Sequence, residues 1–381
     1  MRVRWATIAA TALVAIAGVL GVYVGATTLT APHAEPDASL ALASSPSPRP
    51  SRSLAPVTAA DGLVAYPIGP IPADYRFVIL GDPGDERVLL LDLVAKTVRL
   101  VAHFEGFGSY KDARVIELTS TAAGDLLVID LRADGALSRL YFVRPATADV
   151  RTLTIPKAEN PRLSPDASRL AVSRNSQDPD QNGLWLLNTS DGSGKRIVVD
   201  TGRRATRAIQ WSADGSRMSA LLDPLDFKRE LVVVDVDGRV TPSLGRATDA
   251  RWRGDDLFFW ANDLAGPVRT YNATRGTRVA YQPAADVIVS RVEMKPRSTD
   301  LALRVSTQNT LPKIVLWDSS TGAVTTTMDD AQWVVGLWWS ADALHLYAWI
   351  FDNDTTYVRD LFTNQIVLTF CFRAKIDPPC K

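Results

Sequence analysis

Arg162-Leu-Ser-Pro-Asp-Ala-Ser-Arg-Leu-Ala-Val172 reads as the end of one strand, a tight turn and the start of a second strand at Leu170. Proline presets one turn dihedral, and Ser and Asp side chains bond their own backbone, so this composition reverses a chain between apolar runs. The arrangement returns as Gln210-Trp-Ser-Ala-Asp-Gly-Ser-Arg-Met-Ser-Ala220, with Met218 in the place of Leu170. Weaker copies, TAAGDLLVI, WRGDDLFFW, KPRSTDLAL and SADALHLYA, put Leu126, Leu257, Leu301 and Leu346 at the same mark. Successive marks lie 44, 48, 39, 44 and 45 residues apart. That is the period of a four-stranded propeller blade.

Around Leu170 the unit continues with LAVSR, a longer loop, LWLLN, the turn Ser190-Asp-Gly-Ser-Gly and RIVVD. Four antiparallel strands per repeat make a blade. Upstream, FVIL from Phe77, RVLLLDL from Arg87 and VRLVA from Val98 follow the same scheme and bring the count to seven. The prediction is an all-β chain, a β-propeller of seven four-stranded blades over residues 62–381. Leu63-Val-Ala-Tyr66 keeps six or eight blades open: it can supply the first blade's missing inner strand or pair with the last blade to close the ring. A sheet buried on both faces between neighbours explains why LVVVDV and IVLW read as continuous apolar runs.

Ser164-Pro-Asp-Ala-Ser-Arg and Ser212-Ala-Asp-Gly-Ser-Arg resemble the Ser-Pro-Asp-Gly turn of TolB-type, WD-like propeller repeats. Asn182-Gly-Leu-Trp-Leu-Leu-Asn and Glu230-Leu-Val-Val-Val-Asp-Val-Asp-Gly resemble that family's third strand and following turn. The resemblance is good over residues 159–245. It implies the propeller fold and an extracytoplasmic binding or scaffold role, and it implies no reaction.

Residues 6–29 carry no charge, and Arg2 and Arg4 precede them. The run has the length of a bilayer core, and its flanking arginines predict a single-pass anchor with the N-terminus inside and the propeller outside. Cleavage after Val24-Gly25-Ala26, releasing a secreted protein, is the alternative. Residues 30–61 are rich in Pro, Ser and Ala and read as a disordered stalk. Cys371 and Cys380 are the only cysteines. Outside the cytoplasm they are expected to form a disulfide, closing a loop of about ten residues.

Lysine plus arginine equals aspartate plus glutamate at 42 each. No basic excess points to nucleic acid. A hydrolase joined to the propeller would need a Gly-x-Ser-x-Gly elbow, which is absent. The three histidines, His33, His103 and His345, are scattered, with His345 read inside a second strand. No zinc spacing or phosphate loop appears, and no cofactor is expected. Asp178-Pro-Asp-Gln-Asn-Gly183 opens like a calcium loop, but the late acidic ligand is missing, so it reads as a polar connection and no metal is assigned. Arg253-Gly-Asp255 reads as a blade turn.

In a propeller the second-to-third-strand loops share one rim with the blade crossings. This rim is the expected partner face. It carries His103, Tyr110, Lys111, Asp178, Asp180, Asn182, Arg203, Arg204, Arg207, Asp226, Lys228, Arg229, Asp352 and Asp354. Trp211, Trp252, Trp333, Trp338 and Trp339 are expected as wedges between blades, with sugar stacking as the other use of their rings. The expected function is a non-enzymatic, membrane-tethered propeller that binds a protein or cell-envelope polymer. The alternative is a carbohydrate- or peptide-acting enzyme with its site in the central funnel.

Overall fold

The computed structural model describes residues 55–59, 62–80, 86–104, 110–121, 124–133, 137–156, 158–174, 179–199, 204–224, 229–329, 331, 333–352 and 355–371. Seven antiparallel sheets follow one another along the chain, making a seven-bladed β-propeller. Their inner strands are Tyr75–Leu80, Tyr110–Thr121, Ala158–Leu163, Arg204–Trp211, Asp249–Arg253, Val287–Met294 and Val334–Trp339. The expected anchor and most of the stalk lie outside the described residues. Among the described residues no helix is long and apolar enough to cross a membrane.

Five of the six repeat marks stand at the start of a second strand and pair with the end of the first: Leu163 with Leu170, Trp211 with Met218, Trp252 with Leu257, Met294 with Leu301 and Trp339 with Leu346, while Leu126, third in Gly124–Ala133, pairs with Thr119. The turn is held by its own side chains. Ser164 donates to Asp166 at 2.6 Å, the Ser168 N–H and hydroxyl donate to the same carboxylate, and the Arg169 N–H donates to Ser164 Oγ at 2.9 Å. Ser212, Asp214, Ser216 and Arg217 repeat this arrangement. Three residues before the mark the backbone turns left-handed, at Ala167, Gly215, Gly254 and Ala343. Glycine accepts that conformation without the Cβ penalty, which is why Gly215 and Gly254 stand there.

Seven buried clusters among the described residues fill the seven junctions between blades. In Arg87–Asp92, Val88 and Leu90 pack toward the second blade, while Leu89 and Leu91 pack toward Trp338 and Trp349 of the last. A strand alternates faces, so both faces buried means an unbroken apolar run.

Two expectations are corrected. Leu63–Ala65 neither supplies an inner strand nor joins the last blade; it pairs with Thr97–Phe104 as an outer strand of the first blade, beside Val57–Thr58. Thr97–Phe104 would otherwise leave an open edge, and the pairing buries Leu63 and Ala65 completely. The inner strand of that blade is instead Tyr75–Leu80, and the last blade is built wholly from C-terminal strands. Among the described residues, side-chain packing and hydrogen bonds, without a shared strand, therefore join the two. The fourth blade has three regular strands rather than four. Its edge is completed by isolated bridges, Val234 with Val240 and Glu230 with Arg246. Pro242 lacks an N–H for a ladder, and Gly245 sits at φ 113°.

Candidate functional site

Ends of the inner strands of the first, fourth, fifth, sixth and seventh blades meet around a cavity of about 320 Å³, lined among others by Arg76, Trp211, Trp252, Glu293, Trp338 and Ser340. It opens on the rim of the first-to-second-strand turns. Tyr75–Leu80 begins at this cavity whereas the inner strands of blades four to seven end there, so the first blade presents its inner strand in reverse.

Side chains near the axis tie successive blades together. Arg162 donates to the Ile209 carbonyl, and Trp211 returns an indole N–H to the Arg162 carbonyl at 3.0 Å. Gln210 accepts from the Trp252 N–H at 2.8 Å. Arg251 donates to Glu293 at 3.0 Å, Arg291 donates to its other oxygen at 3.0 Å, and Arg291 also reaches the Val335 carbonyl at 3.3 Å. The Ala341 N–H donates to Asp74 at 2.7 Å.

Glu293 is 6% exposed, so its two arginines are what make its burial tolerable. Arg76 stands near this pair with no ion-pair contact of its own among the described residues. Its Nη1 donates to the Tyr75 carbonyl at 3.1 Å, its guanidinium lies 4.8 Å from the Trp338 ring centre, and Nε and Nη2 have no hydrogen-bond partner. Burial lowers the Arg76 pKa to about 10, against the pull of Glu293 and with the push of Arg251 and Arg291. The indole N–H groups of Trp252, Trp338 and Trp339 and Nη1 of Arg253 are likewise buried without partners.

Arg76, Arg251 and Glu293 were missed by sequence reasoning. The available signal was charge within inner strands: Arg76 in YRFVIL, Arg251 among the three charged residues of DARWR, and Arg291 and Glu293 in VIVSRVEM. The tryptophan expectation is met at Trp211, Trp252, Trp338 and Trp339, each 4–7% exposed, while Trp333 is 55% exposed.

Of the residues expected on the partner rim, those that the structure describes at strand ends and loops lie away from this cavity. His103 ends a strand pair and bonds Tyr66 at 3.0 Å. Tyr110 and Lys111 begin the second blade's inner strand, Asp180 lies in the short helix Pro179–Gln181, and Asn182 follows it. Arg204 and Arg207 lie within Arg204–Trp211, Arg229 precedes Glu230–Asp235, and Asp352 ends a strand. Asp178, Arg203, Asp226, Lys228, Asp354 and Cys380 lie outside the described residues, as does the expected disulfide; Cys371 ends the last strand. His345 precedes its strand rather than lying in it, and pairs with Asp360 at 2.9 Å.

No family model and no curated protein matches the chain. Solved structures do. A prolyl endopeptidase superposes with TM-score 0.56 at 11% identity, over 82% of this chain and 48% of that one, so the chain spans about half of that enzyme. Oligogalacturonate lyase from Vibrio parahaemolyticus superposes with TM-score 0.53 at 12% identity, over 82% and 86%. TolB from Acinetobacter baumannii superposes more loosely, with TM-score 0.41 at 13% identity, over 75% and 76%. At these identities the likeness is one of fold.

Proposed function

We propose that this chain is a binding propeller working outside the cytoplasm, tethered by residues 6–29, and that it engages a protein or cell-envelope polymer at the rim where the axial cavity opens. The observation that carries the reading is the convergence of tryptophan and arginine side chains from the first, fourth, fifth, sixth and seventh blades on one cavity. Aromatic and arginine side chains dominate binding energy where surfaces recognise partners. The uncharged N-terminal run behind Arg2 and Arg4 supports the tether and its orientation. The cavity's buried carboxylate, Glu293, is already engaged by two arginines, one on each oxygen, which favours binding over acid–base hydrolysis.

The test is capture from an envelope fraction with the full-length chain, followed by protein mass spectrometry and glycan analysis. Arg253→Glu with Arg297→Glu should abolish capture, and Asp180→Lys with Arg229→Glu on the opposite rim should leave it. Cleaved glycan or peptide with no retained partner would overturn the reading in favour of an enzyme.

A further inference from the structure

The axial cavity has an excess of donors. Arg76 and Glu293 line it, and among the described residues three guanidinium groups, those of Arg76 and, behind it, Arg251 and Arg291, stand near the one buried carboxylate of Glu293, which already receives two of them. Arg76 is 9% exposed. The two nitrogens it leaves unpaired, Nε and Nη2, are the pair whose N–H bonds run parallel along one edge of the guanidinium. That edge is the fork that receives a carboxylate through two bonds. The indole groups of Trp252, Trp338 and Trp339 can only donate, and each is buried without an acceptor. Unmade buried bonds of this kind are costly, so a site collecting several calls for an acceptor from outside the chain.

We propose that the cavity binds a ligand through a carboxylate held by the side-on fork of Arg76, with the tryptophan walls covering the ligand's apolar body. The inference rests on the binding role proposed above and assigns the chemistry of its anchor. A single planar fork between aromatic rings matches a flat carboxylate. Inorganic phosphate presents four tetrahedrally arranged oxygens and is served better by donors on several sides.

Benzoate, its neutral isostere benzamide and inorganic phosphate are the probes, titrated calorimetrically into the full-length chain at constant ionic strength. Benzoate should bind saturably and raise the melting temperature, while benzamide and phosphate should do neither. Arg76→Gln should weaken benzoate binding by about tenfold or more, the loss expected for a charged hydrogen-bonded pair. Arg76→Lys keeps the charge without the fork and should also weaken it; Arg246→Gln, in an outer ion pair with Asp263, should not. If Arg76→Gln fails to fold, Arg76→Lys and Arg253→Gln decide, and unchanged affinity in both overturns the assignment. Saturation by phosphate in place of benzoate, or benzamide binding as well as benzoate, also overturns it. If benzoate does not bind while envelope capture persists, the anchor is wrong and the binding role stands. If benzoate binds while capture fails, the macromolecular partner is wrong and the anchor stands.

Discussion

Asp74 of the first blade accepts a 2.7 Å hydrogen bond from the backbone N–H of Ala341 in the last blade, joining residues 267 positions apart in the chain. No strand is shared between these two blades among the described residues. The junction therefore depends on this bond, the Arg76–Trp338 contact and the cluster around Leu91, Trp338 and Trp349. Asp74→Ala should lower stability by about 0.5–1.5 kcal/mol, the net worth of one such bond. Urea unfolding measures it, and hydrogen exchange should rise first in the first and last blades.

Adjacent residues should report on different junctions. Leu90 and Leu91 are both fully buried, Leu90 against the second blade and Leu91 against the seventh. Each truncation to alanine should cost about 2–5 kcal/mol. Hydrogen exchange should then loosen the second blade in Leu90→Ala and the seventh in Leu91→Ala. Identical exchange patterns would contradict the alternating burial.

Glu293 holds Arg251 across the junction of blades five and six and Arg291 on its own strand. Glu293→Ala leaves buried guanidinium charge uncompensated and should cost about 3–5 kcal/mol. Glu293→Gln keeps one acceptor oxygen and should cost less. Chemical denaturation of the two variants checks the order.

The turn carboxylates predict an acid response. Burial alone would raise the Asp214 pKa, but bonds from Ser212 and Ser216 and the nearby charge of Arg217 outweigh it and hold the group at about 2. Asp166 is lowered by the matching bonds, and Asp342 chiefly by Ser340. A carboxyl depressed on folding stabilises fully above its unfolded value of 3.8, and the contribution fades as pH falls toward about 2. Asp214→Asn should therefore show a flatter fall in melting temperature over that interval than the parent chain. Parallel curves would contradict the linkage.

The blades were legible in the sequence because their defining feature is local. The Ser-x-Asp turn bonds within six residues, and the mark after it begins a buried strand in every repeat where both were read. The pairing of Leu63–Ala65 was not legible, because three apolar residues pair with whichever edge is open, and that depends on the assembled ring. The fourth blade lost its last regular strand to Pro242 and Gly245, a local signal that the repeat scheme overrode. The axial cluster was hidden for a different reason. Arg76, Arg251 and Glu293 belong to separate blades, and only closure of the ring brings them together; what the sequence shows is charge within three inner strands, with nothing to say that the three meet.

The binding claim is tested most directly by photo-crosslinking in intact envelope from a probe residue at Ala213, which is exposed and lines the cavity, against one at Asp180 on the opposite rim. Adducts with a specific protein or polymer from Ala213, competed by added benzoate and absent from Asp180, are the result predicted here. Adducts from Asp180 alone would contradict it and move the partner to the other face of the propeller.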